Sequence, residues 1–288
     1  MNFSYQIGMC DADHYLPLAK AAEEAGFDGI TIPDSICYPE VASSQYPYNK
    51  DGSREFLESV PFLESLIAVA AMIAVTEKVR FSTFVYKLAV RQAAVVAKQV
   101  QSIQLLSGNR FDFGVGISPW EEDFAVCNVP WEKRGKRFDE QIAILRGLET
   151  GEFFGHEGEM LSMPSNKMCP TPTQKTPILI GGHADIALKR AARVGDGWMC
   201  AGANMEQLTG YISRISELRD EYGTADRPFR VFTTGADAFS QEGISKLESI
   251  GVTDVVIGFR NVYEMDPDKP LNEKIAMLQW YADEFING

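Results

Sequence analysis

Gly181-Gly182-His183 is the run whose residue types most readily suggest chemistry. Two residues without side chains let backbone N–H groups come close to an anion such as a phosphate, above all where a helix begins just beyond. The same pair also makes a tight strand-to-helix turn, and residue types alone leave both readings open. Gly114-Val115-Gly116-Ile117-Ser118-Pro119 has the outline of a dinucleotide loop. Its sixth position is proline, however, and no acidic residue closes a second strand about 20 residues later, so a Rossmann site is excluded. Gly116 instead either lets a flat ring lie against the backbone or relieves crowding between strands. The three histidines, His14, His156 and His183, show neither H-x-H nor H-E-x-x-H spacing, so no metal site is expected. No G-x-S-x-G elbow is present, and Glu121-Glu122-Asp123 reads as a solvated loop or a helix cap. Without a self-sufficient catalytic constellation, an organic cofactor becomes the economical source of chemistry.

These residues need a scaffold, and the hydrophobic pattern indicates which. Short apolar or β-branched runs alternate with segments of helical period, the mark of parallel β/α architecture. Strands are expected at 3–8, 29–33, 79–85, 110–117, 177–180, 197–199, 229–234 and 252–257. Helices are expected at 13–25 with Asp13 as cap, 63–76, 93–107 ended by Gly108-Asn109, 133–148, 185–194, 205–222, 241–250 capped by Ser240, and 271–285. Eight of each make a (β/α)8 TIM barrel, a fold that commonly takes about 250 residues in one unit, so a single domain over residues 1–288 is expected. Two stretches break the rhythm: a loop at 34–61 rich in Tyr, Pro, Ser and Asn, and an irregular excursion at 151–176. Loops of that length inside a compact domain are usually functional. An open doubly wound sheet would leave a visible linker, and none is found.

Composition narrows the function classes. A formal net charge of −13 disfavours partners recognised through phosphate backbones or anionic membrane surfaces, so neither nucleic acid nor membrane is expected. Five scattered cysteines without a C-x-x-C pair suggest neither a disulfide framework nor a thiolate zinc site, and fit a reduced cytoplasm. The opening Met-Asn-Phe-Ser-Tyr-Gln lacks a basic region followed by an apolar stretch, and no later run reaches the ~20 apolar residues of a membrane span. A soluble, unexported protein is expected.

In a TIM barrel the active site forms at the C-terminal ends of the strands. That rule selects Asp34 after the second strand, 86–91 after the third, 116–123 after the fourth, and Gly181, Gly182 and His183 after the fifth. Tyr86, Lys87, His183 and the loop acids at 121–123 are the candidate proton donors; Lys87 and Arg91 are alternatively cations for an anionic coenzyme tail. Tyr46 and Tyr48 of the long loop, with Trp120, form either a substrate lid or ordinary surface packing.

Several ordered motifs go further. The runs 79–88 (VRFSTFVYKL), 97–100 (AKQV) and 106–116 (LSGNRFDFGVG) resemble the luciferase-like monooxygenase superfamily. Ser118-Pro119-Trp120, the segment 134–147, and 177–183 (PILIGGH) followed by 191–198 (AARVGDGW) resemble its actinobacterial branch that depends on the deazaflavin coenzyme F-420. The resemblance covers nearly the whole chain. It implies an isoalloxazine-like ring against strands three and four, with Asp34, Thr83, Phe84, Val85, Gly116, Ile117 and Ser118 around it. The phosphate tail would lie near Gly181, Gly182 and His183, and a non-prolyl cis peptide would fall at Phe84-Val85. The implied activity is hydride transfer between the deazaflavin and a small organic substrate. Alternatives are an FMN-dependent monooxygenase, fed by a separate reductase and using oxygen, and a non-catalytic flavin carrier. A homodimer is implied by the same resemblance. Two positions depart from the pattern: Asp34-Ser35 stands where the deazaflavin dehydrogenases carry an acid followed by a catalytic histidine, and Ile117 stands where they carry glutamate and luciferase carries an arginine. The first speaks against the dehydrogenase mechanism, the second against FMN.

Overall fold

The computed structural model describes residues 1–41, 45–46, 52–264 and 266–288. Its elements run β1 (Asn2–Gln6), α1 (Tyr15–Ala25), β2 (Gly29–Ile32), α2 (Ser65–Ile73), β3 (Arg80–Thr83), β4 (Tyr86–Lys87), α3 (Ala93–Ser107) and β5 (Phe111–Gly116). They continue with α4 (Glu121–Val126), α5 (Arg134–Glu149), β6 (Phe154–Glu157), β7 (Ser162–Asn166), β8 (Ile178–Gly181), α6 (Asp185–Val194) and β9 (Gly197–Cys200). The chain ends with α7 (Met205–Glu221), β10 (Arg230–Thr234), α8 (Gln241–Ser249), β11 (Asp254–Ile257) and α9 (Leu271–Tyr281).

Eight strands close a parallel barrel in the order β1-β2-β3-β5-β8-β9-β10-β11, with β11 returning to β1. All six residues of β5 are buried, as are all of β2, β9 and β11, because helices cover the outside while side chains fill the inside. The barrel read from the sequence is therefore the fold. Ser240 caps α8 by accepting a hydrogen bond from the Gly243 N–H, and Gly108 ends α3 in the left-handed conformation that glycine adopts without a steric cost.

Four expectations need correction. The third strand does not run through 79–85: it stops at Thr83, turns at a cis Phe84-Val85 peptide, and pairs again as β4 with the upper end of β5. Asp13 does not cap the first helix, which begins at Tyr15 after a short 3₁₀ turn. Pro17 explains that start, since it lies in the first turn, where its missing N–H has no intrahelical partner to lose. The acidic run 121–123, read as a solvated loop or a helix cap, is not loop and lies one residue inside the helix, opening α4 after the N-cap Trp120 with Asp123 buried. The excursion 151–176 holds an antiparallel hairpin, β6–β7, hidden from periodicity because Pro164 sits inside it; proline is tolerated on such an edge ribbon.

Inside the barrel, two layers differ in character. The upper one is apolar, with Leu179, Met199, Phe232 and Val256 packed against Phe84 and Val85. The lower one is ionic. Asp112 of β5 bridges Arg80 of β3 and Arg230 of β10, while Arg230 forks onto Asp254 of β11. Burial works against the Arg230 charge, yet Asp254 and Asp112 outweigh it and hold the guanidinium above its ordinary pKa. This ring ties strands on opposite sides of the barrel at the end where TIM barrels keep residues for stability. Removing one partner from a buried pair leaves an uncompensated charge, so Arg230→Met is expected to lower the unfolding free energy by about 3 kcal/mol in urea titrations. Adding Asp254→Asn should recover part of that loss.

Candidate active site

At the other end of the barrel the strands open into a cavity of about 810 Å³, within the usual range of ligand pockets. The C-terminal end of every barrel strand contributes to its wall, from Gln6 and Pro33 round through Phe84, Gly116 and Gly181 to Met199, Thr234 and Gly258. Neither histidine nor cysteine lines it among the described residues. The site can enclose a largely apolar molecule.

The floor centres on Val85. A Cβ on Gly116 would lie 2.7 Å from Val85 Cγ2, and one on Gly181 would lie 2.9 Å from Val85 Cγ1. The valine thus occupies the space that side chains on β5 and β8 would need, and the two glycines are small for that reason. Of the two earlier readings of Gly116, the relief of crowding is the one these distances show. Gly182 adopts a φ of +121°, which favours glycine, and its carbonyl accepts a hydrogen bond from Trp198 Nε1 at 2.8 Å. Overpacking a core position typically costs 1–3 kcal/mol. Gly116→Ala is expected to destabilise the protein by about 2 kcal/mol in denaturant melts, and by much less in a Val85→Ala background.

Asp34 lines the cavity, but its side chain is fully buried and its oxygens are engaged. Arg91 grips both, at 2.7 and 2.9 Å, the Lys87 backbone N–H donates at 2.8 Å, and the Ser65 hydroxyl donates at 3.2 Å. Burial opposes the Arg91 charge, but Asp34 outweighs it and raises the guanidinium pKa. The geometry gives Asp34 a positioning role: it pins the end of β2 to β4 and α2.

One wall is built around Trp120. The Lys87 ammonium lies 4.2 Å from the Trp120 ring centre and pairs with Asp123 at 2.7 Å. The Ser118 hydroxyl donates to Asp123 and accepts from the Trp120 backbone N–H. Arg54 also lies over the Trp120 ring and pairs with Glu122 at 3.0 Å. Tyr46 packs 5.7 Å from Trp120 and 5.6 Å from Phe56, and all three line the cavity. Tyr46 and Trp120 thus belong to one aromatic wall over the mouth. Tyr48 lies outside the described residues.

Three sequence candidates are not in the cavity. The buried Thr83 hydroxyl donates to the Gly114 carbonyl at 2.6 Å between the strands. Tyr86 lies under Arg91, bonds Glu64 at 3.2 Å, and has its phenol pKa pushed up by burial. Its side chain follows β4 outward from the barrel axis, because the turn at 84–85 resets the alternation. His183 stacks on Tyr211 and meets Cys200 Sγ at 3.4 Å, behind β9, where burial lowers its pKa. Of the proposed proton donors only Lys87 lines the cavity among the described residues.

Other wall residues were missed, notably Gln6, Met9, Thr234 and Gly258 to Val262. The rule that all eight strand ends face the mouth would have found those after β1, β10 and β11. Asp123, inside the selected run 116–123, stands behind that wall as the counter-charge of Lys87.

A closed parallel barrel with an apolar, glycine-floored cavity at its C-terminal mouth is the architecture of a TIM-barrel protein with its pocket at the usual end. The sequence description of luciferase-like monooxygenases matches residues 5–241, and the chain belongs to that family. It is 50% identical over 287 residues to an uncharacterized protein of Mycobacterium tuberculosis, covering 99% of each. It is 28% identical over 209 residues to the F-420-dependent glucose-6-phosphate dehydrogenase of Amycolatopsis mediterranei, covering 71% of this chain and 57% of that one. The crystal structure of monooxygenase RslO1 from Streptomyces bottropensis superposes with a TM-score of 0.76 at 16% identity, over 100% of this chain and 99% of the other. Among the described residues no helix is long and apolar enough to cross a membrane.

Proposed function

We propose that this protein is an oxidoreductase that holds a deazaflavin of the F-420 type at the barrel mouth and exchanges hydride between it and a small, largely apolar organic molecule. The observation that carries the reading is the Val85 shelf: Val85, Gly116, Gly181 and Gly182 form a continuous floor without protruding side chains, which fits a flat ring. The turn from Gly181 and Gly182 into α6 suits the coenzyme's phosphate, as backbone N–H groups at such a turn do generally. When bound, a deazaflavin supplies two-electron hydride chemistry, whereas FMN also supports oxygen activation. The chain itself contributes position and dryness. Phe84 and Met199 keep water from the floor, Trp120 and Tyr46 cover one side, and Lys87 holds a proton at Nζ beside Asp123.

The second reading is an FMN-dependent monooxygenase, favoured by the family description and by the likeness to RslO1. Against it, Ile117 lines the cavity where luciferase carries an arginine. Dissociation constants for the two coenzymes decide between the readings. A deazaflavin constant in the micromolar range or tighter, with an absorbance change on binding, is expected. Tight FMN binding without measurable deazaflavin binding would refute the proposal, and coenzyme binding without turnover over a broad substrate panel would favour a carrier.

The proposed partners are a small-molecule substrate, a separate coenzyme-reducing enzyme and a second copy of the chain. The exposed side of α2 and α3 supports the last. α2 (SLIAVAAMI) has no charged residue and leaves Ile67 69% exposed. Val95 and Leu106 of α3, 58% and 72% exposed, lie on one stripe at helical spacing. Light scattering should give a dimer mass for the wild type and a monomer mass for Ile67→Glu.

A further inference from the structure

Arg260 stands just beyond β11, four strands from β5 in either direction round the barrel, and lines the cavity opposite the Val85 shelf. Its guanidinium is held by backbone carbonyls rather than by a close carboxylate. Nε donates to the Asp266 carbonyl at 2.6 Å, and Nη1 donates to the Met9 carbonyl at 2.8 Å. The nearest acid, Asp268, is 3.8 Å away and is itself paired with Lys274 at 2.7 Å. The Asp266 carboxylate accepts from the Asn261 N–H at 3.0 Å and makes no ion pair with Arg260 among the described residues. Lys87, the other cation of the lining, is by contrast matched to Asp123 at 2.7 Å. Two bonds to main-chain oxygens fix the orientation of Arg260 without neutralising it, and its side chain stays 24% exposed. A planar cation held this way has N–H donors left for an oxyanion.

We propose that Arg260 determines substrate specificity by receiving an anionic oxygen group, so that the substrate is an apolar body ending in an oxyacid. This rests on the oxidoreductase reading above, because it places the substrate between the shelf and the far rim. A flat molecule on the shelf leaves the β10–β11 side of the cavity for the second reactant, and Arg260 meets that reactant's far end. The coenzyme's own phosphate is not that acid, since the oxidoreductase reading puts it at Gly181 and Gly182, away from β11.

The test compares phenylacetate, phenyl phosphate and the neutral phenylacetamide, titrated by calorimetry into wild type, Arg260→Leu and Arg260→Lys. At least one acid is expected to bind wild type about ten-fold more tightly than the amide, a difference that falls with salt. Which acid binds more tightly separates a carboxylate substrate from a phosphate ester. Arg260→Leu should abolish the preference, and Arg260→Lys should keep part of it, while amide and deazaflavin affinities stay unchanged. Equal or absent binding of acids and amide to wild type overturns the proposal, as does a preference that survives Arg260→Leu. A loss of deazaflavin affinity in Arg260→Leu also overturns it, by moving the residue to the coenzyme. Thermal melts show whether the leucine variant is folded; if it is not, Arg260→Lys and the salt dependence decide. An acid preference in a protein that binds neither deazaflavin nor FMN would leave Arg260 in place and refute the oxidoreductase reading instead.

Discussion

The carboxylate of Asp34 is the contact on which the mouth of the barrel depends. It joins β2 to Arg91, to the backbone of β4 and to the start of α2, with no solvent to share the load. From there the connection is continuous: the backbone of Lys87 is set by Asp34, its ammonium meets Asp123, Asp123 holds Ser118, and Ser118 fixes the turn that carries Trp120. A buried charge pair is favourable only when its remaining bonds are satisfied. Here each acid is met by several donors, so strand ends that share no ladder are held in one arrangement.

The barrel separates two tasks by height. Its lower layer takes the ionic ring of Arg80, Asp112, Arg230 and Asp254, which ties opposite strands. Its upper layer is apolar and ends in the Val85 shelf. Cations near the cavity are mostly matched to acids, so the mouth is built to exclude water and to position a guest rather than to attack it. That division is how this member of the luciferase-like family builds its barrel.

Much of the scaffold was legible in the sequence, because each barrel strand is a short apolar run and each covering helix has its own period. Legibility failed where tertiary contacts override local pattern. Residues 79–85 read as one strand, but the chain breaks after Thr83 and resumes at Tyr86, which carries Tyr86 out of the mouth. Asp123 reads as solvated beside two other acids, and only the approach of Lys87 from another strand buries it. His183 follows the glycine pair in sequence but turns behind β9 to stack on Tyr211.

Residue types and spacing by themselves determined the eight-fold alternation, the candidate strand ends, and the glycines that make a close approach possible, because those follow from local propensity and period. Only the tertiary structure decided which side chains share the cavity. Whether Asp34 meets an arginine, whether Gly116 lies against Val85, and which carbonyls hold Arg260 depend in most cases on neighbours dozens to hundreds of residues away. No local pattern encodes those distances, and they became readable only once the barrel had closed.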